Sequence, residues 1–208
     1  MTGDASSIDQ DAKISSDAVS VPATNVSVYE ALYRRRMSWQ LSSAPVSRET
    51  IDRMLAAAVW APNHRLTEPW RFFVVDKDSP VRQIVADLAY EFSMQRNNNP
   101  ERAAAVRSTV SDPPILIYVY CVPGPNEDTT QENYAAVCCA AQNISLAGVA
   151  EGLAVTWETG GATRHHRLKE TLGAEEDWTL AAMLSVGVPE DNPQASRTPV
   201  TAFARWVT

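Results

Sequence analysis

Arg34-Arg35-Arg36-Met37-Ser38-Trp39 sets three guanidiniums beside a hydroxyl. Arginine offers planar, permanently charged forks, so this run suits a phosphate or a similar anion. It also reads as a solvated charge run at a helix end, where cations favour the dipole. A second stretch, Trp60-Ala61-Pro62-Asn63-His64-Arg65-Leu66-Thr67-Glu68-Pro69-Trp70-Arg71-Phe72, sets a polar loop between a helix stop and a strand start. Polar groups at the edge of a rigid scaffold are a common place for function. The plainer reading is a connecting loop with one buried tryptophan.

Other chemistry is sparse. The chain has no G-x-x-x-x-G-K-[ST] phosphate loop, no G-x-G-x-x-G fingerprint and no G-x-S-x-G elbow. His64, His165 and His166 are its histidines. Neighbouring histidines on a helix point about 100° apart, so His165 and His166 make a poor metal pair. They read as surface polar residues. Cys138 and Cys139 fall in an apolar helical stretch and read as small core residues. No metal site is expected.

The whole chain fits one domain with an appendage. Its 208 residues carry 18 Lys and Arg against 25 Asp and Glu, a net charge of −7. That balance disfavours nucleic acid, which needs a concentrated basic surface. No apolar run approaches the roughly 20 residues of a membrane span. Three cysteines, two of them adjacent, make no disulfide framework and suit a reducing cytoplasm. Residues 1–27 contain no aromatic residue and a single basic one, Lys13. They read as a disordered tail without the features of a secretory signal. Residues 28–208 form the expected folded domain. The Asn-x-Ser sites at Asn25 and Asn143 read as chance matches.

The elements that must position these residues follow from pattern. Val28 to Arg36 reads as a short helix. Glu49 to Trp60 reads as a helix capped by Ser47, with Ile51, Met54, Leu55 and Ala58 on one apolar face. Strands are expected at Arg71–Asp76, Ile115–Cys121, Ala154–Trp157 and Leu180–Val188. Helices are expected at Pro80–Gln95, Glu101–Val110 and Arg164–Leu172. The Ala-rich segment from Glu132 to Glu151 is apolar almost all round and reads as a central buried helix closed by Gly152. The tail from Pro189 should run extended over the surface or onto a partner subunit. Helices and strands mix without regular βαβ alternation, which reads as α+β.

An Arg-Arg pair before a Ser, then Pro-Val, a helix, Ala-Pro, a polar loop and Pro-Trp-Arg-Phe resembles the FMN-dependent nitroreductase family. The likeness is to its small, minimal-length members, which carry Ala-Pro-Asp-His-Lys where this chain has Ala61-Pro62-Asn63-His64-Arg65. Downstream, Gly152-Leu153 and Val155-Thr156-Trp157-Glu158-Thr159-Gly160 resemble the family's Gly-Leu/Phe-Gly-x-x-Trp-(Lys/Arg)-(Ser/Thr)-Gly segment. Gly187-Val188-Pro189 and Arg197-Thr198-Pro199-Val200 resemble its ending. The matches run from about Tyr29 to Trp206.

The resemblance implies a nitroreductase-like three-layer α+β sandwich, with a central, mostly antiparallel sheet flanked by helices, in an intertwined homodimer. It implies two FMN molecules at the dimer interface, with NAD(P)H as electron donor and a nitroaromatic or quinone as acceptor. Arg35, Arg36, Met37 and Ser38 would then hold the phosphate and ribityl chain. Trp60 and His64 would lie along the flavin, Trp157, Glu158 and Thr159 would approach its ring edge or come from the other subunit, and Arg197 would add a phosphate contact. Ala147 to Gly152 matches a stretch associated with the nicotinamide. The flavin carries the chemistry, so no catalytic side chain is assigned.

Several positions depart from the family pattern. Met37 stands where a Ser is usual, unless Ser38 supplies the hydroxyl. Trp60 replaces an Arg, Glu68 a Gln, and Glu158 a basic residue. Three outcomes follow for Glu158: it lowers the flavin potential by like-charge repulsion, it weakens FMN binding, or it points to solvent and is screened. Two other functions stay open, a different enzyme on the same fold and a non-catalytic flavin-binding or flavin-free member.

Overall fold

The computed structural model describes residues 25–207, so most of the expected N-terminal tail lies outside the described residues. The centre is a four-stranded antiparallel sheet of order β1-β2-β4-β3, built from β1 Trp70–Asp76, β2 Ile115–Cys121, β3 Ala154–Glu158 and β4 Thr179–Gly187. β2 is buried along its whole length, which is why it reads as an unbroken apolar run. Its alternate residues feed two cores. Ile115, Ile117, Val119 and Cys121 pack in one, while Leu116, Tyr118 and Tyr120 pack in the other. Val119 pairs with Ala182 and Tyr120 with Leu180, so Ala181 is the extra residue of a β-bulge.

Helices cover both faces. α2 (Arg48–Ala58) and α5 (Glu127–Ala150) cover the first core. α3 (Pro80–Asn97), α4 (Pro100–Ser111) and α6 (Leu168–Leu172) cover the second, and α1 (Val28–Arg34) precedes them all. The caps are those their residue types favour. Ser27, Ser47 and Ser79 accept N–H groups at the starts of α1, α2 and α3, as do Asn99 and Asn126 at α4 and α5. Gly152 follows α5 with φ 75°, the left-handed stop that glycine permits. α5 lies close against β3, and a Cβ on Gly148 would sit 2.6 Å from Val155 Cγ2. Gly148→Ala is expected to cost about 1–3 kcal/mol by overpacking, read as a lower urea midpoint at unchanged slope.

Five expectations need correction. α5 begins at Glu127, five residues before the expected start, because Asn126 caps a polar first turn. It is buried on one face only, and Gln131, Glu132, Ala135 and Cys139 are exposed on the other. Cys138 is therefore half-buried and Cys139 exposed, while Cys121 is the core thiol, pushed up to about 11 by burial. The helix expected from Arg164 begins at Leu168. His165 turns inward first, accepting the Arg167 N–H at Nδ1 (3.2 Å). That makes His165 buried at 5% exposure, stacked on the exposed ring of His166 at 4.4 Å.

Candidate functional site

The basic run leads out of α1 into an extended segment held by the sheet. Thr156 Oγ1 donates to the Ser38 carbonyl (2.7 Å). Ser42 N donates to Val188 O and Glu190 N to Gln40 O, both at 2.8 Å, around a bridge between Leu41 and Pro189. These bonds bring the start of the domain against its end. Between them lies a cleft of about 520 Å³, lined by Arg34, Arg36 and Ser38, by the α5–β3 turn, and by the Pro189–Gln194 segment.

Side chains in this cleft are partly engaged. Arg34 pairs with Glu30 at 2.8 Å. Arg36 donates from one nitrogen to the Tyr33 and Arg35 carbonyls, each at 2.7 Å, which fixes the plane of its fork. The buried Ser38 hydroxyl lies 3.0 Å from Gln40 O and also contacts the Asp191 carboxylate. Arg35 and Met37 are half-buried beside the cleft's residues in sequence. Asp191 carried no signal in the sequence, because only the Leu41–Pro189 bridge brings it here.

The other candidate residues fall elsewhere on the chain. β3 stops at Glu158, opposite Met183, while β4 runs on to Thr179. A notch of about 260 Å³ opens beyond the strand end, lined by Glu158, Thr159, Tyr134, Arg164 and Leu180 to Ala182. Strand alternation sends Trp157 and Glu158 to opposite faces. Trp157 packs on the core under α2 and α5, whereas Glu158 accepts from Ser185 Oγ at 2.9 Å. Trp60 and His64 sit on the exposed loop between α2 and β1, where His64 Nδ1 meets Glu132 Oε2 at 2.9 Å. Arg197 lies in the exposed C-terminal segment and donates to the Ser196 carbonyl.

Burial raises the Glu158 carboxyl above its ordinary value of 4.5, against smaller opposing effects from Ser185 and Thr109. The folded chain thus holds this proton to higher pH than the unfolded chain. Stability from Glu158 is present below its unfolded pKa and lost as pH rises through the folded one. Glu158→Gln is expected to melt higher than the parent at pH 7. The gap should close as pH falls below about 4.5 in thermal scans.

A helix-covered antiparallel sheet whose first and last segments enclose a basic cleft defines a nitroreductase-like fold. The structure of the FMN and NADPH-dependent nitroreductase NfnB from Sphigopyxis sp. strain HMH superposes with a TM-score of 0.74 at 20% identity, covering 88% of this chain and 99% of that one. The sequence profile of the Nitroreductase family matches residues 32–188, and the chain belongs to that family. "Putative NAD(P)H nitroreductase YfhC" of Bacillus subtilis (strain 168) is 26% identical over 168 residues, 80% of this chain and 87% of its own. Iodotyrosine deiodinase 1 of Rattus norvegicus is 29% identical over 178 residues, 77% of this chain and 61% of its own. Among the described residues no helix is long and apolar enough to cross a membrane, and no cluster of His, Cys, Asp or Glu could hold a metal ion.

Proposed function

We propose that this chain is an FMN-dependent NAD(P)H oxidoreductase that reduces a nitroaromatic, quinone or similar small acceptor and works as a cytoplasmic homodimer. The observation that carries the reading is the cleft of about 520 Å³ with Arg34 and Arg36 on its wall. That volume falls within the range of ligand pockets, and guanidinium forks suit a phosphate monoester. The donor set fits FMN in this respect. Arg35, Arg36, Met37 and Ser38 hold the phosphate and ribityl chain, and Arg197 adds a contact from the C-terminal segment. With residues of both subunits around each flavin, Trp157, Glu158 and Thr159 border the ring, and Trp60 and His64 lie along it. The Ala147–Gly152 turn meets the nicotinamide. Bound FMN supplies a two-electron relay between donor and acceptor. The chain's own residues bind and orient, and none is assigned as acid or base. The name of the Bacillus subtilis relative supports NAD(P)H as donor.

The homodimer rests on uncovered apolar surface. Val28, Tyr29 and Tyr33 of α1 and Val200, Phe203 and Trp206 of the C-terminal segment are all more than two-thirds exposed, Trp206 at 93%. Apolar displays on this scale mark protein interfaces, and a symmetric second copy supplies the commonest partner.

The test is the visible absorbance of the purified protein, before and after FMN and then NAD(P)H without oxygen, with its mass measured by sedimentation. A dimeric, stoichiometric flavoprotein that bleaches is the expected result. Asp191 favours a second reading, a non-catalytic flavin-binding or flavin-free member, because its carboxylate opposes a phosphate in the same cleft. A colourless protein that takes up no FMN, or one that binds it without bleaching, would select that reading. The deiodinase relative supports a third, another enzyme on this fold, which bleaching with inert nitroaromatics and quinones would select.

A further inference from the structure

We propose that Asn133, acting through Thr67, is a positioning residue that locks the Asn63–Glu68 loop in the shape that presents His64 to the flavin site. The inference rests on the FMN reading above. Its starting point is backbone strain. Arg65, Leu66 and Glu68 have φ of 62°, 51° and 46°. Each lies in the left-handed region, at a cost of roughly 1–2 kcal/mol for a residue with a side chain. Such conformations persist only where the surroundings over-determine them.

Packing does not account for the shape, since Leu66 at the crest is 75% exposed. Side-chain hydrogen bonds do. Asn63 Oδ1 accepts the Glu68 N–H at 2.7 Å, and Asn63 Nδ2 donates to Thr67 Oγ1 at 3.0 Å. Thr67 Oγ1 donates in turn to Asn133 Oδ1 at 2.7 Å. Asn133, buried on α5, donates from Nδ2 to the Val122 carbonyl just past β2 at 3.1 Å. Both ends of its amide are thus used, and the loop is tied to a helix and a strand at once. Ten residues along α5, Asn143 Nδ2 donates to Ala57 O at 3.1 Å, in the last turn of α2 where the loop originates. Glu132, the residue before Asn133, meets His64 between the loop's two tethered ends. One rigid helix therefore grips the start, middle and end of a strained loop. The strain serves display, because nothing among the described residues covers the crest.

Thr67 is exposed, so its variants test the relay without emptying the core. Thr67→Val removes the hydroxyl at near-constant shape, and Thr67→Ser restores it. FMN affinity, the visible circular dichroism of bound FMN and the melting temperature are measured for both and for Asn133→Ala. Thr67→Val is expected to weaken FMN binding about tenfold, the value of one hydrogen bond, and to change the flavin spectrum. Thr67→Ser should match the parent. Wild-type affinity and spectrum in Thr67→Val would overturn the inference and leave the FMN reading standing, whatever happens to the melting temperature. So would a Thr67→Ser variant as impaired as Thr67→Val. A parent protein that binds no FMN would remove both.

Discussion

Replacing Arg35 and Arg36 together with alanine is expected to weaken FMN binding at least about 100-fold while leaving riboflavin binding unchanged. The two ligands differ by the phosphate, so the comparison isolates the charge contact from ring contacts. Hydrogen bonds to charged groups contribute about 1.5–3 kcal/mol each, and two of them at the lower limit correspond to about 100-fold in Kd. The forks are not equivalent. Arg36 is pre-oriented by the Tyr33 and Arg35 carbonyls, leaving its remaining N–H groups for an anion at little further entropic cost. Arg35, half-buried as a residue, makes no side-chain hydrogen bond among the described residues, so its fork can be completed by a ligand. Loss of Arg36 also uncovers the Tyr33 carbonyl in the last turn of α1, so the melting temperature should fall slightly. Fluorescence titration at two ionic strengths gives the answer, because a phosphate contact at a half-open cleft weakens with salt. Equal losses for FMN and riboflavin would place the phosphate away from these arginines.

Local chemistry made much of the fold legible. β2 was readable end to end because prolines flank an apolar run that is buried on both sides. The Ser47 cap and the Gly152 stop were readable because few other residue types suit those backbone positions. Long-range contacts hid the rest. The first turn of α5, Glu127-Asp128-Thr129-Thr130, is polar and looks like loop until its Asn126 cap is seen. His165 reads as surface because its inward turn depends on the packing of α3 and the second core. The candidate site divides in the same way. Charge density exposed the arginine run, but its facing wall at Asp191 arrives through one β-bridge across the whole domain. Trp157 and Glu158 look like one motif, yet strand alternation sends their side chains apart.

Arg82→Met is expected to destabilise the fold by roughly 3–5 kcal/mol, because several buried carbonyls lose a donor. Its position looks unremarkable in sequence, a cation in the first turn of α3, where the helix dipole disfavours it. The fold places it 4% exposed between three segments. Nε donates to Asp76 O at 3.3 Å, one terminal nitrogen to Val110 O at 2.9 Å, and the other to Pro114 O at 3.2 Å and to Val75 O. The guanidinium thus joins the end of β1, the end of α4 and the entry to β2. Val110 O belongs to the last turn of α4, whose carbonyls lack helical partners. No carboxylate pairs with Arg82 among the described residues, and burial pushes its guanidinium down to about 10. The charge therefore persists at neutral pH on carbonyl dipoles, with the Coulombic effects of Tyr118 and Asp76 partly opposing burial. Met keeps the length and apolar stem but leaves those carbonyls with fewer donors, each costing about 1–3 kcal/mol if left dry. Lys offers three donors from a single point and cannot span carbonyls a planar fork reaches together, so Arg82→Lys should recover part of the loss. Urea unfolding with unchanged slope would give both values. A midpoint for Arg82→Met close to the parent would mean that water reaches the three segments and that the sheet edge and α4 are held by packing instead.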